Sequence, residues 1–419
     1  MKSILQCLLV FLFSTQSLHA ASSLSLDEAL ETALKNHLQL VEARENLHGA
    51  EARTGQALAN YYPQISLAAD WSKGRSFLTP LESIKMTEAN IDAIYLKQTI
   101  YDFGRTSGAV DAARNNREAA DKVLALTRQD LTLRVKNAFF LFLAAKKQVA
   151  ATMETVKART EVYQQALEFF NQGIRAKVDV ARAEANLFSA RTALIRTENN
   201  REVAQVELAN AMGMASLGEC TLIEPSPALF TLPERSQTQQ DALRNRAELQ
   251  QLTALKAAAS ANLKTAKGSY LPVLSGTATI GYADRDFPPP GNVWGVGLNL
   301  TMPLFSGFSS VEQVREANAN INAIAAHNSN LRLQIIKDAE SAWLGVNEAS
   351  ARTISTEKEV GAANENQKLA EGRYHEGVGS IIEVTDAQSQ ALDAQTAHIQ
   401  AVFDYYTAVA RLDRAVGKE

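Results

Sequence analysis

The chain has 419 residues, 42 basic and 46 acidic, 46% of them hydrophobic and 7% aromatic. A net charge of −4 argues against a nucleic-acid partner held by a basic surface. Two cysteines are too few for a disulfide scaffold.

The first 20 residues read as a secretory signal peptide: Lys2 is the charged start, Ile4 to Phe13 the apolar run, and Leu18-His19-Ala20 the cleavage site. That run is far shorter than the ~20 residues that span a bilayer. Losing Lys2 leaves 41 basic against 46 acidic residues, a net −5, and Cys220 as the remaining thiol. The mature chain is expected to leave the cytoplasm and to lack an intrachain disulfide. It holds no run of 18 apolar residues, so entry into a membrane would have to use strands.

The rest is expected to be two repeats, 21–213 and 239–419, joined by an irregular link at 214–238 that carries Pro225, Pro227 and Pro233. Asn36 to Pro63 and Asn245 to Pro272 are both 27 residues apart, and Phe103-Gly104 is matched with Ser306-Gly307. Ala138-Phe139 with Ala342-Trp343, Gly173 with Gly377, Asp179-Val180 with Glu383-Val384 and Met212-Gly213 with Val416-Gly417 share one offset of 204. Each repeat reads helix, strand, strand, long helix, glycine turn, helix. The predicted helices cover 26–60, 105–172 and 178–212, then 240–268, 309–375 and 380–416. The longest are proline-free, and proline before each first strand ends the preceding helix.

Strands are predicted at 64–74, 91–101, 272–283 and 293–303 from period-2 alternation. Trp294, Val296, Leu298 and Leu300 share one face, while Gly295, Gly297, Asn299 and Thr301 share the other. Stretches 75–90 and 285–292 are read as loops. Ten-residue strands with one apolar face fit an outer-membrane barrel. Four of them cannot close, so more than one chain has to contribute.

No catalytic, cofactor or metal pattern emerges. The six histidines (His19, His37, His48, His327, His375, His398) lack ligand spacing. Asp102-Phe103-Gly104 copies a kinase tripeptide without its companions and reads as a strand-to-helix turn. Gly295-Val296-Gly297 lacks the third glycine of a dinucleotide loop. The residues alone leave two readings: a membrane duct, or a structural coiled coil that bridges envelope layers without a pore.

The strand entries Tyr61-Tyr62-Pro63 and Tyr270-Leu271-Pro272, the Phe-Gly and Ser-Gly strand exits, and the turns Phe170-Asn171-Gln172-Gly173 and Tyr374-His375-Glu376-Gly377 join the repeat in one pattern. With that pattern the chain resembles the TolC-like outer-membrane efflux family over essentially its whole mature length. The resemblance implies a fold that is mainly α with a membrane β-barrel part: a homotrimer with a twelve-stranded barrel in outer-membrane lipid on a twelve-helix periplasmic tunnel. It implies two partners, a periplasmic adaptor (membrane fusion) protein and an inner-membrane pump of the RND or ABC type, and neither enzymatic activity nor a cofactor. By position, Glu383 and Asp386 are expected to line a pore constriction, and Asp179 and Tyr374 to form a gate hydrogen bond. Gly173, Ile174, Gly377 and Val378 are expected in adaptor-docking turns. Gly379 stands where the family has an arginine, which implies a gate more easily opened.

Overall fold

A computed structural model describes residues 22–78, 83–218, 220–225 and 231–418, and of 22, 75–78 and 83–87 the backbone alone. The signal peptide expected at 1–20, and residues 219 and 226–230 of the link, lie outside the described residues. In chain order the elements are β1 (Ser22–Leu24), α1 (Leu26–Asn36), α2 (Leu38–Leu58), a 3-10 turn (Ala59–Tyr61), β2 (Gln64–Leu78), β3 (Ser83–Tyr101), α3 (Arg105–Asn171) and α4 (Lys177–Ala211). Then come β4 (Cys220–Leu222), α5 (Arg235–Asn245), α6 (Ala247–Gly268), β5 (Val273–Asp284), β6 (Asn292–Thr301), α7 (Ser309–His375) and α8 (Ile381–Ala415). The two longest helices, α3 and α7, have 67 residues each, and their successors α4 and α8 have 35 each. The described residues divide into two compact units, one made of those within 22–35, 135–225 and 356–403, the other of those within 36–134, 231–355 and 404–418.

The second unit holds a four-stranded antiparallel sheet in the order β2-β3-β5-β6. Cross-strand partners point to the same face, so the register puts Leu67, Ile94, Ile280 and Trp294 together, with Leu96, Ala278 and Val296 in the next row. That apolar face is exposed: Trp294 is 77% accessible, Val296 81% and Leu298 75%. On the other face Ala93 and Ser275 are buried. A Cβ on Gly281 would come within 2.5 Å of the Ala93 Cα, so only glycine permits that strand approach. Among the described residues no helix is long and apolar enough to cross a membrane.

Helix packing in this unit depends on small residues as well. Gly108, the one glycine in α3, lies where a Cβ would stand 2.9 Å from the Ala261 carbonyl oxygen of α6. Beside it the Arg105 guanidinium donates to the Gly268 and Leu271 carbonyls, at 2.8 and 2.6 Å, which ties the start of α3 to the end of α6. In the first unit β1 and β4 form a short parallel pair, and Lys146 Nζ donates to the Cys220 carbonyl at 3.1 Å.

Several expectations need correction. The helix expected at 26–60 is broken at His37, which is extended (φ −70°, ψ 125°) and accepts the Gln39 N–H on Nδ1 as the N-cap of α2. The helix expected at 240–268 starts at Arg235 and is broken at Arg246, also extended (φ −58°, ψ 120°). Neither break carries glycine or proline, so it left no punctuation to read. The link expected to be irregular contains β4 and the start of α5. Much of the loop expected at 75–90 is strand, β2 running to Leu78 and β3 starting at Ser83. Finally, Phe103-Gly104 corresponds to Gly307-Phe308 and not to Ser306-Gly307. All four residues are left-handed, with φ of 51°, 93°, 60° and 65° in chain order. This register restores the offset of 204 and makes Asp102 and Ser306 equivalent caps. Asp102 accepts the N–H groups of Gly104 and Thr106, and Ser306 Oγ accepts the N–H of Ser310.

Candidate functional site

The two glycine turns of the first unit are built alike. Gly173 follows α3 with φ +76° and Gly377 follows α7 with φ +78°, a conformation that favours glycine. Gly173 N–H reaches the Phe170 carbonyl, and Ile174 N–H reaches Phe169. Gly377 N–H reaches Tyr374, and Val378 N–H reaches Arg373. The turns place Ile174, Val178, Val378 and Ile382 on the surface, all exposed. Ile174 and Val378, like Val178 and Ile382, are equivalent at the offset of 204.

Between the turns lies a core of Val162, Ala166, Ala183, Ala370, Tyr374, Ile381, Val384 and Ala387. Four alanines in this set allow close helix contact. Tyr374 is the large member. It is fully buried and meets Phe169 edge-on, with ring centroids 5.8 Å apart. The Tyr374 hydroxyl is buried without a hydrogen-bond partner, so the expected bond to Asp179 is not made within this chain. Burial pushes the phenol pKa up, the Asp179 carboxylate adds to the rise, and Arg175 opposes it.

Glu383 and Asp386 are separated by one helical turn near the start of α8. They share its exposed face with Ile382, while Ile381, Val384 and Ala387 point into the core. Arg373 of α7 stands 3.7 Å from Glu383. Glu383, expected to line an acidic constriction, therefore has a cation beside it. Among the described residues no cluster of three or more His, Cys, Asp or Glu is placed to hold a metal ion.

The residue that joins the two turns, and that the sequence did not single out, is Arg175. Its Nη2 donates to the Gly377 carbonyl at 2.9 Å and to the Gly379 carbonyl at 2.6 Å. Its guanidinium carbon lies 5.8 Å from the Tyr374 ring centroid. The resemblance sets an arginine of the family against Gly379, and the repeat offset of 204 leads from that position to Arg175.

The sequence matches the model of the family described as outer membrane efflux protein over residues 29–214 and 238–418. The chain belongs to that family. It is 24% identical to the outer membrane protein TolC of Vibrio cholerae, covering 94% of this chain and 90% of that protein. It is 23% identical to the toluene efflux pump outer membrane protein TtgC of Pseudomonas putida, covering 94% and 83%. Its fold matches the outer-membrane channel OprN with a TM-score of 0.84 at 19% identity, over 94% of this chain and 90% of that one. The Campylobacter jejuni CmeC channel matches with 0.82 at 18% identity, over 94% and 85%. The efflux protein is thus an outer-membrane exit duct of an efflux or secretion system, located in a Gram-negative outer membrane with a large periplasmic helical part. Its family consists of channel proteins, which are not enzymes.

Proposed function

We propose that three copies of the efflux protein assemble into the duct, each giving four strands to one closed barrel and four helical segments to a periplasmic tunnel. The observation that carries this is the open sheet. Strands β2 and β6 end it with an unpaired edge each, and its apolar face is exposed. Unpaired backbone groups in lipid cost several kcal/mol each, about the same as burying a polar group unbonded. Pairing β6 of one copy with β2 of the next removes both edges, and three copies give twelve strands. A coiled coil without a pore offers no use for the exposed face.

The paired turns form the periplasmic entrance of the duct. Gly173, Ile174, Gly377 and Val378 present the surface on which a periplasmic adaptor docks, and the adaptor connects the duct to an inner-membrane pump of the RND or ABC type. Glu383 and Asp386 line the constriction. They are repeated threefold and favour cations, with Arg373 tempering the charge. Asp179 and the unpartnered Tyr374 hydroxyl join when the trimer closes and act as its gate. Native mass spectrometry of the detergent-extracted protein is expected to show a single species of three chains. A monomer or dimer that retains its full helical content would refute closure by three copies.

A further inference from the structure

Resting on the reading of the turns as the entrance of the duct, we propose that Arg175 is a positioning residue that latches the α3–α4 turn to the α7–α8 turn of its own chain. One guanidinium nitrogen serves two carbonyls, Gly377 and Gly379, at 2.9 and 2.6 Å. Both belong to the turn after α7, whose Gly377, Val378 and Gly379 N–H groups close back on the Tyr374 and Arg373 carbonyls while the Gly377 and Gly379 carbonyls accept from Arg175. Bonds from a cation to carbonyl oxygens are stronger than neutral ones. The same guanidinium lies against the buried Tyr374 ring, so it covers the one large side chain of the core beneath.

The latch is one-sided. Arg175 and Gly379 are equivalent positions of the two repeats, since 175 plus 204 is 379. A symmetric pair of turns would carry an arginine on each. Here position 379 has no side chain with which to reach back to the first turn. It has no space for one either: a Cβ on Gly379 would lie 2.7 Å from the Tyr374 amide nitrogen and 2.8 Å from the Arg373 carbonyl carbon. Glycine at 379 keeps the backbone close and leaves its carbonyl open to Arg175. The connection from the first turn to these carbonyls thus depends on one side chain.

The test uses the intact, detergent-extracted protein. Hydrogen–deuterium exchange is followed at residues 173–180 and 374–384, alongside single-channel recording in planar bilayers. Arg175→Gln is expected to speed exchange in both turns by roughly tenfold, the loss of a charged hydrogen bond, and to raise the fraction of time the channel is open. Exchange in the first turns of α3 stays unchanged. Arg175→Lys, which keeps the charge but not the planar fork, falls between the two. Gly379→Ala leaves the arginine in place but displaces its acceptor, and it reproduces the Gln phenotype. Unchanged exchange in Arg175→Gln overturns the latch, whether or not the protein conducts. Faster exchange in Arg175→Gln, in a protein that never conducts even with Tyr374→Phe, keeps the latch and contradicts the reading of the turns as the entrance of a duct.

Discussion

Glu248 shows how one carboxylate can organise charge in the helical part. Its Oε1 accepts from Arg246 at 2.7 Å and from Arg414 at 2.9 Å, and Arg414 also reaches Asp130 at 2.7 Å. Burial alone would push its pKa up, but the bonds from Arg246, from its own backbone N–H and from Arg414 hold it at about 2 against an ordinary 4.5. A depressed folded pKa favours the fold while the group is ionised. The contribution, roughly 3 kcal/mol by linkage, is complete above pH 4.5 and is lost as the pH falls toward 2. Melting temperatures by circular dichroism are expected to fall across that window in the wild type and to show a shallower slope in Glu248→Gln. Equal slopes would show that the network does not act through Glu248. Tyr374 gives a second prediction at this scale. If its hydroxyl closes on Asp179 in the trimer, Tyr374→Phe raises the open fraction in bilayer recordings without changing the trimer. An unchanged open fraction removes the gate bond.

At the scale of elements, glycine has opposite meanings at two helical positions. In α3 a Cβ on Gly108 meets the backbone of α6, whereas in α2 a Cβ on Gly49 meets nothing within 4 Å. Gly108→Ala is therefore expected to destabilise by about 1–3 kcal/mol through overpacking. Gly49→Ala is expected to stabilise by about 0.5–1 kcal/mol through reduced chain entropy. Denaturant midpoints of the two variants check both signs, and a shared sign would refute the packing argument. The elements differ in how far they were legible. Long helices show in the absence of proline, and Gly173 and Gly377 mark their ends because left-handed backbone favours that residue. Strand faces show in the alternation from Trp294 to Leu300. The breaks at His37 and Arg246 do not show, because one extended residue leaves the apolar pattern intact. The pair β1 and β4, three residues each, is too short to display a period. The contact of Arg175 with Gly379 needs the fold, because it crosses between repeats.

At the scale of the whole molecule, the chain is an incomplete object. Its sheet has two free edges and an apolar face turned to solvent, and the carboxylates of α8 sit on an exposed helical face. In the trimer proposed above, three copies would complete the strands, place the apolar face in lipid, and repeat Glu383 and Asp386 around one axis. The doubling of one repeat within the chain accounts for the pairing of long and short helices, and the departures from that symmetry, such as Arg175 against Gly379, mark where one half does what the other does not. Single-channel conductance in planar bilayers tests the duct most directly, comparing the wild type with the double variant Glu383→Ala, Asp386→Ala. Discrete cation-selective openings are expected in the wild type, with the selectivity reduced in the variant. A well-folded, membrane-extracted trimer that never conducts, even with Tyr374→Phe, would contradict the account.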